Sequence, residues 1–146
     1  MKTTLSLAAL LGLLALSQPA IAEPITATLY KNPQCGCCEG YAGYLRDNGF
    51  AVEVIPTNEL SEISRNAGVP EDFQGCHTMF VEGYVVDGHV PLSALLKLLS
   101  EKPDIVGITL PGMPAGSPGM GGSKNASFVI YSLNKDGGAP AIYAVE

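Results

Sequence analysis

The sequence is poor in basic residues. Lys and Arg together number 8 against 14 Asp and Glu, which gives a formal net charge of −6 over 146 residues. Nucleic acids are bound through positive charge, so this balance argues against a nucleic-acid partner. An acidic surface is also common for solubility alone. The charge therefore excludes one class of partner without indicating a ligand.

The sequence also lacks an apolar run long enough to cross a bilayer. Its most apolar stretch, residues 5–16, is shorter than the ~20 residues that a transmembrane helix needs. A basic start precedes this stretch, and a small-residue pattern of the A-x-A kind follows it and ends at Ala22. We therefore predict a secretory signal peptide over residues 1–22, cleaved after Ala22. Residues 23–146 then form a single periplasmic domain with no membrane span.

Cysteines are few, and their placement argues against a disulfide scaffold. Only four occur, and three of them, Cys35, Cys37 and Cys38, share the segment NPQCGCCEGY. Two long-range disulfides would require the adjacent Cys37 and Cys38 to reach different partners. In an oxidising compartment, spare thiols form disulfides unless a metal or a reductant protects them. The cluster therefore indicates thiol or metal chemistry.

No internal repeat occurs, and the order of predicted elements indicates an α/β domain. Alternating residues predict strands at 26–30 and 51–56, and each strand is followed by a segment with helical spacing. A hairpin is predicted around Glu82-Gly83, and Pro91 opens a third helix. This β-α-β-α-β-β-α order, with cysteines between the first strand and the first helix, is typical of thioredoxin-like domains.

The last third of the chain has a different composition. Residues 111–122 are rich in Gly, Pro and Met, and Gly and Pro disfavour both helix and central strand, so we predict a loop there. Apolar stretches at 128–133 and 141–145 predict a C-terminal β-hairpin within residues 126–146. This hairpin would anchor the far end of the loop.

The C-x-x-C pair of Cys35 and Cys38 supports two kinds of chemistry. At a helix N-terminus, unpaired N–H groups and the helix dipole stabilise a thiolate, as thiol–disulfide exchange requires. Cys37 would compete for such a disulfide, whereas Cu(I) accepts thiolates readily and one sulfur can bridge two ions. A periplasmic thiol–disulfide oxidoreductase using Cys35 and Cys38, with Cys76 as the resolving thiol, stays the alternative to copper binding.

The fourth cysteine, Cys76, precedes the strand that begins the predicted hairpin. In thioredoxin-like proteins the loop entering this strand lies against the C-x-x-C motif, so we expect Cys76 beside the other three sulfurs. Zinc sites usually draw C-x₂₋₄-C pairs from two loops, and the C-x-C-C run does not fit that spacing. An iron–sulfur cluster would not be carried through the export of an unfolded chain.

Three more side chains are predicted as secondary ligands: Met113, Met120 and His77. Both methionines lie in the Gly/Pro loop, where there is no helical face for them to pack along, and thioether is a soft ligand. Their alternative role is to anchor the loop by burial. His77 reaches the metal of Cys76 only if the segment bends, because neighbours in a strand point to opposite faces. His89 precedes the third helix and is expected to cap it or pack near it, with approach to the cluster as a ligand as the alternative.

Three segments together resemble one known family: KNPQCGCCEGY, GCHTMFVEGYVVDGHVP and LPGMPAGSPGM. In this order they are similar to the CopG-like family of exported, copper-resistance-associated metal-binding proteins, long catalogued as a domain of unknown function. The resemblance covers residues 26–120 and implies a thioredoxin-like fold. It implies copper bound in a thiolate-bridged multinuclear cluster by Cys35, Cys37, Cys38 and Cys76.

Together, the residues and the resemblance predict a protein of copper homeostasis that holds Cu(I) on cysteine thiolates. Its copper would be stored, passed to an efflux or chaperone protein, or cycled between Cu(I) and Cu(II). Apart from such redox cycling, no enzymatic activity is predicted.

Overall fold

The computed structural model describes residues 23–146, and the predicted signal peptide, residues 1–22, lies outside the described residues. In chain order the elements are β1 (Ile25–Lys31), α1 (Gly36–Asp47), β2 (Phe50–Pro56), α2 (Leu60–Asn66), a short 3₁₀ helix (Glu71–Phe73), β3 (His77–Val81), β4 (Tyr84–Gly88), α3 (Leu92–Glu101), β5 (Gly107–Leu110), β6 (Val129–Leu133) and β7 (Ala141–Val145). Among residues 23–146, no helix has the length and apolar character needed to cross a membrane.

All seven strands belong to one mixed sheet, in the order β2-β1-β3-β4-β5-β6-β7. Strand β1 pairs in parallel with β2, and β4 in parallel with β5, whereas the other neighbours are antiparallel. The predicted α/β class is confirmed, and the predicted order of elements is the observed one from β1 to α3. The predicted C-terminal hairpin is present as β6 and β7.

Strand β5 was not predicted from the sequence, and it changes the role of the hairpin. It pairs with β4 on one side and with β6 on the other, so the hairpin extends the central sheet. A Cβ atom on Gly107 would lie 1.8 Å from the carbonyl oxygen of Val85, so only glycine allows β5 to approach β4 this closely. Glycine weakens the sequence signal of a strand, which is why the pattern did not reveal it.

Helices cover both faces of the sheet. Neighbouring strand residues point to opposite faces, and both faces carry apolar side chains that the helices bury. Val86 belongs to the main core, which also contains the buried faces of α1 and α3, such as Leu45 and Leu95. The adjacent Val85 packs on the other face, against Val69 after α2. Each helix therefore has a fixed position over the sheet, and the N-terminus of α1 is held above the end of β1.

Candidate metal centre

The structure brings together all four cysteine sulfurs, which lie within 4.8 Å of one another. Cys35 and Cys38 form a disulfide, while Cys37 and Cys76 are free. The Sγ atom of Cys76 lies 3.2 Å from that of Cys38 and 3.8 Å from that of Cys37, and the Sγ atoms of Cys35 and Cys37 are 3.2 Å apart. Cys76 thus lies beside the other three cysteines, as expected from the sequence.

The register of the sheet explains why two distant segments meet. Antiparallel pairing of β1 with β3 sets Lys31 opposite His77. The turn that carries Cys35 follows Lys31 directly, and Cys76 precedes His77 by one residue. Both segments therefore leave the sheet at the same edge, and α1 begins there with Cys35 as its N-cap residue.

Burial holds Cys76 in its protonated form in the absence of a metal. Removal from water raises the pKa of its thiol to about 12, and the neighbouring Cys37 and the hydrogen bond with its side chain add to the rise. Thiolate is the form that binds metals. A metal that enters the cluster must therefore displace a proton from Cys76.

Both histidines join the sulfurs, and both are fully buried. Nε2 of His89 lies 3.3 Å from the Sγ atom of Cys76, and Nδ1 of His77 lies 3.8 Å from the same atom. One ligand atom each from Cys38, Cys76, His77 and His89 lies within 4.8 Å of the others. Cys38 and Cys76 thus belong both to the four-sulfur group and to this mixed group.

The tautomer of His89 is set by the Gly/Pro loop. Nδ1 of His89 lies 2.6 Å from the carbonyl oxygen of Pro118, which can only accept a hydrogen bond, so Nδ1 carries the proton and donates. The Nε2 lone pair then faces Cys76. A metal-binding histidine commonly donates its other nitrogen to a carbonyl in this way.

Neither imidazole is charged at neutral pH. Burial lowers the pKa of His77 to about 3, with a further contribution from neighbouring His89, and burial also lowers the pKa of His89. A neutral imidazole keeps a lone pair for a metal.

Sequence reasoning expected His89 to cap, to pack or to approach the cluster, and it did not use a signal that favours the last of these. The hairpin pairs Val81 with Tyr84 and Thr78 with Asp87, and its two-residue turn was predicted. Continuing that register by two positions sets Cys76 opposite His89. The predicted hairpin therefore already contained the proximity of these two residues.

The two predicted methionine ligands lie in different surroundings. Met120 is half-buried and follows Pro118 by two residues, whereas the side chain of Met113 is 41% exposed. Gly119 fixes this part of the loop on α1, because a Cβ atom there would lie 2.4 Å from the backbone nitrogen of Tyr41. Ligation by Met113 and Met120 stays a prediction.

A buried carboxylate holds the segment that carries Cys76. Asp87 accepts hydrogen bonds from the backbone N–H of Gly75 and, at 2.7 Å, from the hydroxyl of Thr78. These two residues flank Cys76 and His77. Burial raises the pKa of Asp87 to about 6, against the opposing effect of its two donors.

Lys31 is a second residue that sequence reasoning missed. Its side chain is buried, and Nζ donates to the carbonyl oxygens of Asn32, Pro33 and Cys35 at 3.2, 3.3 and 3.2 Å. Nζ also lies 3.3 Å from a carboxylate oxygen of Glu39 in α1. The ammonium group thus shapes the turn that presents Cys35.

We expect Lys31→Met to lower the free energy of unfolding by about 1–3 kcal/mol, because buried carbonyl groups lose their donor. Urea denaturation of the reduced, metal-free protein measures the change. Lys135→Met is the matched control, since Lys135 forms an exposed ion pair with Asp104, and such a pair contributes little. Equal effects of the two substitutions would contradict the structural role of Lys31.

The chemistry of the donors fits a soft or borderline metal ion. One tetrahedral ion with bonds of ~2.0–2.3 Å to nitrogen and sulfur holds its ligand atoms about 3.3–3.8 Å apart. The contacts of Cys76 with Cys38, Cys37 and His89 are 3.2, 3.8 and 3.3 Å. Cys35 and Cys38 become thiolate ligands only after two electrons and two protons have reduced their disulfide and metal has displaced the protons.

The chain is similar to one family model and to solved structures. The family described as "Protein of unknown function, DUF411" matches residues 73–120. A solved structure described as "Copper resistance protein copG- Form 2" is 35% identical, with a TM-score of 0.78, and the match covers 85% of this chain and 99% of that chain. Form 1 is likewise 35% identical, with a TM-score of 0.77 and coverage of 85% and 98%.

No curated protein matches the chain. The structural match nevertheless combines 35% identity with almost complete coverage of the other chain. On that ground, this protein belongs to the CopG-like family.

Proposed function

We propose that this protein binds Cu(I) in the periplasm through the thiolates of four cysteines: Cys35, Cys37, Cys38 and Cys76. The observation that carries the proposal is the 3.2 Å separation of the Sγ atoms of Cys38 and Cys76, which come from segments 38 residues apart. Thiolates are soft donors that select Cu(I). The two related structures are those of copper resistance proteins by description, which supports copper as the metal.

More than one copper ion is expected per chain. Three of the four sulfurs come from one tetrapeptide, which makes it difficult for all four to surround a single ion. Bridging thiolates instead allow several ions to share sulfurs that lie within 4.8 Å of one another. His77, Met113 and Met120 are secondary ligands or shields in this proposal. The loop that carries both methionines reaches the site, because the carbonyl oxygen of Pro118 accepts a hydrogen bond from His89.

The proposal places residues 23–146 in the periplasm as one domain, after cleavage of the signal peptide behind Ala22. Copper held there is available for storage, for transfer to an efflux or chaperone protein, or for cycling between Cu(I) and Cu(II). Loading requires the reduced protein, because the Cys35–Cys38 disulfide withholds two of the four ligands.

Anaerobic titration of the reduced protein with Cu(I) tests the proposal. We expect more than one Cu(I) per chain and protection of all four thiols from a thiol reagent, because each cysteine contributes a thiolate. The protein with its Cys35–Cys38 disulfide intact is the matched control, and it should bind fewer ions. Binding of one ion or none, or protection of fewer than four thiols, would contradict the proposal.

The disulfide itself favours a second candidate function, thiol–disulfide exchange. A substrate thiolate would attack one sulfur of the disulfide, form a mixed disulfide and release the other cysteine as a thiolate, and a second thiol would resolve it. Cys37 weakens this candidate, since its Sγ atom lies 3.2 Å from that of Cys35 and competes for the bond. Disulfide reduction by metal-free protein that has no affinity for Cu(I) would favour exchange over copper binding.

A further inference from the structure

We infer that Asp87 is a positioning residue of the proposed copper site, because its carboxylate holds the chain in the bend that brings Cys76 to the other sulfurs. The inference rests on the proposed function, since it takes Cu(I) as the bound ion. Asp87 is not a ligand in this inference. It acts through the groups on either side of Cys76, and it thereby sets how tightly copper is held.

The chain bends at Cys76, directly before β3 begins at His77. Neighbouring residues in an extended strand point to opposite faces. Here the Sγ atom of Cys76 lies 3.8 Å from Nδ1 of His77, so the two side chains lie on the same side of the chain. A straight continuation of β3 would instead turn the sulfur toward the face of the sheet that α2 covers.

The carboxylate of Asp87 holds this bend from both sides. One oxygen accepts a hydrogen bond from the backbone N–H of Gly75, and the other accepts one from the hydroxyl of Thr78 at 2.7 Å. Gly75 directly precedes Cys76, and Thr78 directly follows His77. This arrangement is here called the Asp87 clamp. A single side chain thus fixes the distance between the two ends of the bend.

The approach of the bent segment to β4 requires glycine. A Cβ atom on Gly75 would lie 2.8 Å from the Cα atom of Gly88 and 3.1 Å from a carboxylate oxygen of Asp87. Any side chain at position 75 would therefore push the segment away from β4. The backbone N–H of Gly75 reaches Asp87 because no side chain stands between them.

The Thr78 end of the Asp87 clamp is anchored in α2. Thr78 gives its one hydroxyl proton to Asp87, so across its 2.6 Å contact with Ser64 it accepts a hydrogen bond from the Ser64 hydroxyl. Ser64 lies in α2, and the side chains of Ser64, Thr78 and Asp87 are fully buried. The hydrogen bonds therefore connect the bend to a helix on the opposite face of the sheet from α1.

The charge of Asp87 is not used in an ion pair. Neither ion pair among residues 23–146 involves this carboxylate, although it is fully buried. Burial of a carboxylate without a cation is costly to folding. A role outside stability accounts for such a residue, and the two hydrogen bonds that flank Cys76 supply one.

The Asp87 clamp sets the position of the Cys76 sulfur before any metal enters. This Sγ atom lies 3.2 Å from that of Cys38 and 3.8 Å from that of Cys37. A donor that is already in place loses less freedom on binding, which raises the affinity of the site. Outer hydrogen-bond partners contribute about 10- to 100-fold to the metal affinity of protein sites.

Thr78→Val removes a hydroxyl from the Asp87 clamp and hardly changes the size of the side chain. It should weaken Cu(I) binding at least about 10-fold in anaerobic competition with a Cu(I) chelator. Thr78→Ser keeps the hydroxyl but loses a buried methyl group, so it should destabilise the fold and still bind Cu(I) like the wild-type protein.

Thr28→Val is the matched control, because it makes the same change in β1, opposite Phe80. It should bind Cu(I) like the wild-type protein. Equal Cu(I) affinity of the Thr78→Val and Thr28→Val variants would overturn the inference. An equal loss of affinity in Thr78→Ser and Thr78→Val would also overturn it, since the hydroxyl would then have no part in copper binding.

A metal-free measurement tests the position of the sulfur directly. In Cys35→Ser/Cys37→Ser, only Cys38 and Cys76 keep thiols, and oxidised glutathione converts them into a disulfide with release of two reduced glutathione molecules. Asp87→Ala in this background should lower the equilibrium constant at least about 10-fold, because the effective concentration of two groups depends on their geometry. An unchanged constant in the folded variant would overturn the inference.

Thr78→Val replaces Asp87→Ala in the glutathione equilibrium if Asp87→Ala does not fold, and the same fall is expected. A wild-type protein that binds no Cu(I), together with this fall, would remove the proposed function and leave the positioning of Cys76 by Asp87 standing. Binding of several Cu(I) ions with equal affinity in all clamp variants would do the reverse.

Discussion

Cys76→Ser should reduce Cu(I) stoichiometry and weaken the remaining copper at least about 100-fold, since the loss of an outer partner alone costs 10- to 100-fold. The reason is the position of this sulfur, which lies within 3.8 Å of the Sγ atoms of Cys37 and Cys38 and of a nitrogen of each histidine. Competition with a Cu(I) chelator under anaerobic conditions measures both quantities.

Ser132→Ala is the control for Cys76→Ser. Ser132 is a buried polar residue in β6, and its hydroxyl lies near Asn134 and Ala141. It should bind copper like the wild-type protein. If Cys76→Ser retained the full stoichiometry while folded, the copper would be held by the tetrapeptide Cys35–Cys38 alone, and the convergence of the two segments would have no role.

Gly119→Ala should lower the free energy of unfolding by about 2–4 kcal/mol and weaken Cu(I) binding. Gly119 has a φ of +78°, and an added Cβ atom would lie 2.4 Å from the backbone nitrogen of Tyr41. The loop must then move off α1 and carry the Pro118 carbonyl away from Nδ1 of His89. Urea denaturation and the chelator competition measure the two effects.

Gly121→Ala is the matched control in the same loop. A Cβ atom on Gly121 meets no other atom within 4 Å. It should change the free energy of unfolding by no more than about 0.5 kcal/mol. Equal stability of the two glycine variants would show that the loop does not pack on α1 in solution, and the fixed tautomer of His89 would lose its cause.

The disulfide and the metal exclude each other at Cys35 and Cys38, because each sulfur either shares a covalent bond or ligates as a thiolate. An oxidising compartment therefore competes with any metal for these two sulfurs. The free, buried Cys76 keeps its proton until a metal arrives, which follows from its raised pKa. Under the proposed function, copper loading is accordingly linked to both electrons and protons.

The family resemblance and the geometry support the site in different ways. The matched segment, residues 73–120, includes Cys76, both histidines and the whole path from β3 to the Gly/Pro loop. The first three cysteines lie outside that segment, and the structural match, which covers 85% of the chain, extends well beyond it. The contacts of the Sγ atom of Cys76 with those of Cys37 and Cys38 then join the matched segment to the first three cysteines.

Local spacing was enough to predict much of this protein. The helical pattern that follows the C-x-C-C run predicted Cys37 and Cys38 at the N-terminus of α1, and Glu82-Gly83 predicted the turn between β3 and β4. These features depend on neighbours in sequence, whose conformations are set by steric preferences of a few residues. The α/β class and the order of elements from β1 to α3 follow from the same signals.

Only the tertiary structure decided which distant groups meet the sulfurs. The tautomer of His89 depends on the Pro118 carbonyl, which comes from the distant Gly/Pro loop, and the role of Lys31 depends on the turn that folds over its ammonium group. Strand β5 forms because β4 and β6 lie on either side of it, although its own residues give a weak strand signal. Such contacts join residues far apart in the chain, and their free energy arises only when the whole sheet has assembled.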